Sequence, residues 1–89
     1  MDKKKKVYVF SAKWCGPCKS YKPVFEASLA EYDDVESRYI DIDEEHELTS
    51  EHNVRSVPTT VVFADDVEVF RATGPLDEAD LAKAIEDHG

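Results

Sequence analysis

Two cysteines, Cys15 and Cys18, stand three positions apart between a short apolar run and the start of an amphipathic stretch, and they are the only cysteines in the chain. A disulfide between them closes so small a loop that it barely restrains the unfolded chain. The pair is therefore read as chemistry, not as a staple. Its surroundings also constrain the fold. Val7–Ser11 reads as a short continuous strand suited to a central position in a sheet. Beyond the cysteines, Tyr21, Val24, Phe25, Leu29 and Tyr32 recur on one helical face, which predicts a helix to about Tyr32. Pro17 suits its first turn, where a missing N–H removes no bond. Pro23 lies inside the helix and predicts a kink.

A strand-to-helix turn places Cys15 at the helix N-terminus. Unpaired backbone N–H groups and the positive end of the dipole favour its thiolate there, and the thiolate is the reactive form. Cys18 lies one turn further in, placed to attack a mixed disulfide formed at Cys15. Gly16 keeps the approach open and Pro17 stiffens the turn.

The remaining sequence completes an α/β pattern. Val35–Ile42 reads as a second strand, with Tyr39, Ile40 and Ile42 facing the core. Asp43 is expected to cap a short polar helix over about residues 44–52, anchored by Leu48. Residues 58–64 and 67–72 read as a hairpin about Asp65-Asp66. Gly74-Pro75 breaks the chain, and Asp77 is expected to cap a last helix carrying Leu81, Ala84 and Ile85. The order is β-α-β-α-β-β-α. It predicts a four-stranded mixed sheet with helices on both faces, its first strands parallel and its last two a hairpin. At 89 residues and 42% apolar composition, this is one domain over residues 7–89, preceded by a lysine-rich tail over residues 1–6.

The formal net charge of −9 argues against a nucleic-acid partner, which needs a basic face. No apolar stretch approaches the length of a membrane span, and no signal-like segment follows the lysines. The expectation is a monomeric, cytoplasmic protein, where reducing conditions favour a catalytic over a structural cysteine pair. His46 and His52 have a spacing a zinc finger would accept. Their distance from Cys18 is far beyond the roughly 12–15 residues such a site uses, so no metal site is expected and both are read as solvated. No bound cofactor is expected. Tyr21, Phe25 and Tyr32 are assigned to the core, Asp41 to a strand-end charge, and Trp14 to a half-exposed platform on the turn.

Trp14-Cys15-Gly16-Pro17-Cys18-Lys19 resembles the active-site motif of thioredoxins residue for residue. Phe10 and Ala12 match the strand and turn before that motif, Pro23 its kinking proline, and Val57-Pro58-Thr59 the segment bearing the family's cis-proline. Phe63 fits the following strand and Gly74 the glycine beside the site. The resemblance implies a thioredoxin fold lacking the N-terminal strand and helix of full-length members, and so a chain of glutaredoxin size. It implies a thiol–disulfide oxidoreductase that reduces protein disulfides, with Cys15 as nucleophile and Cys18 as resolving thiol. Substrates would bind at Trp14, Gly16, Pro17, Val57, Pro58, Thr59 and Gly74. Electrons would come from a thioredoxin reductase, commonly a flavin enzyme fed by NADPH, or from glutathione if the chain works like a glutaredoxin. Two positions depart from the family. Val9 stands where thioredoxins usually bury an aspartate beneath the second cysteine, and Ser11 where many pack a tryptophan.

Overall fold

The computed structural model describes residues 5–87. Seven elements follow in the order β1 (Lys5–Ser11), α1 (Gly16–Leu29), β2 (Val35–Asp41), α2 (His46–Glu51), β3 (Thr59–Ala64), β4 (Val67–Thr73) and α3 (Glu78–Asp87). The sheet order is β2-β1-β3-β4. β1 pairs parallel with β2 and antiparallel with β3, and β3 pairs antiparallel with β4. The helix between β1 and β2 provides the crossover that a parallel pair requires. A two-residue turn suffices between β3 and β4, and both of its residues, Asp65 and Asp66, have positive φ, as the twist of a tight hairpin demands.

β1 is one of the two interior strands, and its alternation separates two cores. Val7 and Val9 face one side, where they cluster with Tyr21, Phe25 and Leu29 of α1, Val62 of β3, and Leu81, Ala84 and Ile85 of α3. Phe10 faces the other side with Ile40, Val61 and Phe63, and Tyr8, Leu48 and Val54 pack against that group. The helices therefore lie on both faces of the sheet.

Several local expectations change. The tail expected over residues 1–6 gives up Lys5 and Lys6 to β1, where they pair with Ala64 and Phe63 of β3; residues 1–4 lie outside the described residues. The lysine stems suit a strand end because their ammonium groups reach carboxylates and carbonyls at its margin. Lys6 Nζ meets Asp66 Oδ1 at 2.8 Å, and Lys5 Nζ donates to the carbonyl of Ile85. α1 runs through Pro23 and ends at Leu29, three residues short of Tyr32. The N–H groups of Glu31 and Tyr32 turn back to the carbonyls of Ser28 and Leu29, tightening the end of the helix. Tyr32 is half-buried, and its hydroxyl donates to Glu86 Oε2 at 2.5 Å.

Asp43 does not cap α2. That helix starts at His46 after Glu45, which makes no side-chain cap bond. The N–H groups of Glu44 and Glu45 are taken by the Asp41 carbonyl, and this turn delays the helix. Asp77 does act as expected for α3: its Oδ1 accepts the N–H of Asp80 at 2.8 Å. His52 is not a solvated side chain. Its ring stands edge-on to Tyr8, with centroids 6.2 Å apart, and lies 5.9 Å from Phe10 and 5.2 Å from Phe63.

Candidate functional site

The two cysteines sit where β1 hands over to α1, at the end of an interior strand of the sheet. The Cys15 N–H donates to the Ala12 carbonyl at 3.1 Å, closing the turn that brings the chain round to the helix. Cys15 is the N-cap residue of α1, with extended backbone, and its Sγ accepts the N–H of Cys18 at 3.2 Å. A sulfur held this way satisfies one of the helix's orphan donors. It also lies at the positive end of the helix dipole, the setting that favours a thiolate. Pro17 falls in the first helical turn, as its missing N–H predicts. The two sulfurs form a disulfide, with Cα atoms 5.3 Å apart.

Burial separates the two. Cys15 retains 5% of its surface and Cys18 only 1%, so Cys18 is the recessed member. Both pack with Ala12, and Ile42 and Val57 close around them. The tertiary fold therefore delivers Val57, which is far from the cysteines in sequence, to the disulfide. The Val57–Pro58 peptide bond is cis. Pro58 and Thr59 are buried, and the Thr59 hydroxyl donates to the Ser56 carbonyl at 2.7 Å. The surface this segment offers is thus that of Val57, not the proline ring. The N–H of Gly74 donates to the Pro58 carbonyl at 2.8 Å, tying the loop after β4 to the same place. Gly74 has φ +90°, where a side chain would be strained, and a Cβ there would meet no atom within 4 Å. That stretch is an open backbone surface.

Trp14 is 69% exposed, more than the half-exposed platform expected. Its indole N–H donates to Asp43 Oδ2 at 3.0 Å, so a ring with little packing beneath it is nonetheless held. Behind the cysteines, the Tyr39 hydroxyl donates to the Cys18 carbonyl at 3.1 Å, and the Lys22 ammonium lies 5.1 Å from the Tyr39 ring centroid. Val9 is fully buried in the α1 face, with Tyr39 and Thr60 as its neighbours across the sheet. The Thr60 and Tyr21 hydroxyls are 2.8 Å apart. Burial raises the Tyr21 pKa, partly opposed by that hydrogen bond, so the pair is neutral.

The comparisons with known proteins fit this geometry. The family model described as Thioredoxin matches residues 1–87. The chain belongs to the thioredoxin family. It is 42% identical over 79 residues to the thioredoxin of Chlamydia trachomatis, covering 89% of this chain and 78% of that one. It is 34% identical over 82 residues to the thioredoxin of Mycoplasmoides gallisepticum, covering 92% and 82%. Among solved structures, a single-site mutant of the Halobacterium salinarum thioredoxin superposes with a TM-score of 0.87 at 42% identity, over 96% of this chain and 74% of that one. The Fasciola hepatica thioredoxin gives 0.89 at 34%, over 99% and 84%. Membership and the bonded cysteine pair together make the chain a protein thiol–disulfide oxidoreductase of the thioredoxin kind, in preference to the glutaredoxin-like alternative.

Sequence reasoning missed two partners of the site. Asp43 looks like a helix cap because it precedes a polar helical stretch, and Tyr39 looks like an ordinary core aromatic. Only the parallel pairing of β1 with β2 carries both beside the motif, and no local pattern signals that.

Proposed function

We propose that this thioredoxin-family chain works reductively on protein disulfides, with Cys15 as nucleophile and Cys18 as resolving thiol. The observation that supports these roles is the asymmetry of the pair. Cys15 sits at the N-cap, its sulfur taking a helix N–H, while Cys18 is recessed one turn inside. Cys15 thiolate attacks a substrate sulfur and one substrate thiolate leaves. Cys18 then attacks Cys15 Sγ, releasing the second thiolate and leaving the Cys15–Cys18 disulfide. Trp14, Gly16, Pro17, Val57 and Gly74 frame the docking surface, and the buried Pro58 and Thr59 hold the Val57 segment in place. The substrate chain lies extended along the Val57 backbone in the manner of an added strand. A thioredoxin reductase restores the dithiol, and the chain acts as a monomer in the cytoplasm, contributing to electron transport and redox homeostasis.

The test is reduction of an interchain disulfide, insulin being convenient, with dithiothreitol as donor. Cys15→Ser is expected to abolish turnover. Cys18→Ser is expected to accumulate mixed disulfides on Cys15, identified by mass spectrometry. Adducts found mainly on Cys18 in the Cys15→Ser protein would reverse the roles. Comparing turnover with thioredoxin reductase and with glutathione identifies the donor.

A further inference from the structure

The N-cap and first turn of α1 carry the two cysteines, and the helix's own bonds hold that turn incompletely. Pro23 lies inside α1 and has no N–H, so the Lys19 carbonyl, four residues earlier, loses its helical partner. The break falls one residue after Cys18, between the redox turn and the rest of the helix. Cys15 and Cys18 must nonetheless keep a fixed relation, because one sulfur has to be placed to attack the other.

Tyr39 supplies a bond at this place from outside the helix. Its hydroxyl donates to the Cys18 carbonyl at 3.1 Å. Among the described residues, no other side chain beyond the Trp14–Lys19 motif reaches the motif's backbone by a hydrogen bond. The Tyr39 ring is half-buried and lies along α1, 6.2 Å from the Phe25 ring and 5.1 Å from Lys22 Nζ. Cys18, Lys22 and Phe25 follow helical spacing and so share one face of α1, the face that Tyr39 covers. Across the sheet, Tyr39 is the register partner of Val9, one of the two departures from the family pattern. Val9 is fully buried and apolar. It offers the phenol no polar partner, and the hydroxyl is left to the Cys18 carbonyl. The anchor itself is firm, because β2 pairs with β1 along all seven of its residues.

We propose that Tyr39 is a positioning residue for the resolving step, holding Cys18 in line with Cys15 through the Cys18 carbonyl. The proposal rests on the roles given above to the two cysteines and adds what keeps the second one aimed. In the mixed disulfide, Cys18, its proton lost to water, attacks Cys15 Sγ. The Cys15–Cys18 bond forms, the bond from Cys15 to the substrate sulfur breaks, and the substrate leaves as a thiolate that takes a proton from water. Over the full reaction the enzyme dithiol loses two electrons and the substrate disulfide gains them. Tyr39 acts through the backbone and exchanges no proton. By tethering the turn to β2, it restricts where the Cys18 sulfur can be, which is the advantage of a pre-oriented intramolecular attack.

Stopped-flow reaction of the prereduced protein with excess dithiobis(nitrobenzoate) tests this, because the two cysteines release the coloured thiolate in separate phases. The first phase is attack by Cys15 and scales with reagent. The second is attack by Cys18 on the mixed disulfide and does not. Tyr39→Phe keeps the ring and removes the hydroxyl. It is expected to leave the first phase unchanged and to slow the second about three- to tenfold, the scale of one hydrogen bond. The factor should be the same at every pH between about 6 and 9, where thiols titrate, since the tether leaves the Cys18 proton alone. Tyr39→Leu, which lacks ring and hydroxyl, should slow the second phase at least as much and lower the urea midpoint further. Ile85→Val loosens the same core by a comparable amount without touching the hydroxyl, and should leave both phases unchanged. A natural second phase in Tyr39→Phe overturns the proposal, as does equal slowing in Ile85→Val. A factor that changes with pH would put Tyr39 on the proton path and overturns the positioning role. A first phase that survives in Cys15→Ser and vanishes in Cys18→Ser overturns the cysteine roles instead, and the proposal with them.

Discussion

The two faces of the sheet are built to different standards. On one, α1 and α3 bury five large side chains, Tyr21, Phe25, Leu29, Leu81 and Ile85, and the small Ala84, against Val7, Val9 and Val62. On the other, the six-residue α2 buries none of its residues, and Leu48 is its half-buried contribution to a cluster dominated by the strands' own Phe10, Ile40, Val61 and Phe63. The redox pair is mounted on the first face, at the head of the well-rooted helix. The opposing Val57–Pro58 segment comes from the connection that follows α2, on the weaker face. Burial therefore concentrates under the nucleophile, while the chain leading from α2 into the loop across from it is held by the aromatic contacts of His52 and by surface links, of which Arg71 is one: its Nη2 donates to the His52 carbonyl at 2.7 Å.

The largest test of this contrast is truncation on each side. Phe25→Ala should cost about 3–5 kcal/mol, since the ring is 3% exposed in a packed cluster and leaves a cavity. Leu48→Ala should cost about 1 kcal/mol, because its side chain is half-buried and solvent can fill the gap. Urea midpoints measure both. Equal losses would mean that the α2 face carries as much of the stability as the α1 face.

A smaller effect comes from polarity placed under the cysteines. Val9→Asp puts a carboxyl into the α1 face at a fully buried position, at a cost of about 1–3 kcal/mol when neutral. Burial raises its pKa above the unfolded value, so the loss grows as pH rises through the folded pKa. The same carboxylate can accept the proton of Cys18. Decay of a preformed Cys15 mixed disulfide should therefore quicken and depend less on pH between about 6 and 9 than in the natural chain. Matching profiles from a folded variant would show that proton removal never limits the step.

The smallest effects separate the faces by pH. On the α1–α3 side, the hydrogen bond to Glu86 holds the Tyr32 phenol up at about 12. A raised pKa stabilises below the unfolded value near 10, and that contribution is lost as pH rises through the folded one. On the α2 side, the Arg71 guanidinium lowers the pKa of Glu68 through its hydrogen bonds. That stabilisation is present above the ordinary carboxylate range and is lost as pH falls through the depressed value. Both pairs are solvent-screened, so each is worth a few tenths of a kcal/mol at most. Tyr32→Phe should flatten only the alkaline limb of a stability-versus-pH curve, and Glu68→Gln only the acid limb.

Much of this was legible in one dimension. Strands, helices and the hairpin announce themselves through periodicity and turn residues, which act between neighbours. The motif reads just as directly, because a cysteine at a helix N-terminus is a local arrangement: Cys15 caps α1 with the very turn its sequence encodes. What the sequence could not express was which distant residues meet there. Asp43 reads as a cap and serves as the acceptor for Trp14; His52 reads as solvated and packs edge-on and tilted among Tyr8, Phe10 and Phe63; Tyr39 reads as core and also holds the Cys18 carbonyl. Each of these depends on the register that lays β2 and β3 beside β1, a choice made by burying whole faces at once. Sequence fixes the elements and the reactive pair because both are set within a few residues. The surroundings of the pair, including the Tyr39 bond to the Cys18 carbonyl, exist only once non-local strands have been brought into register.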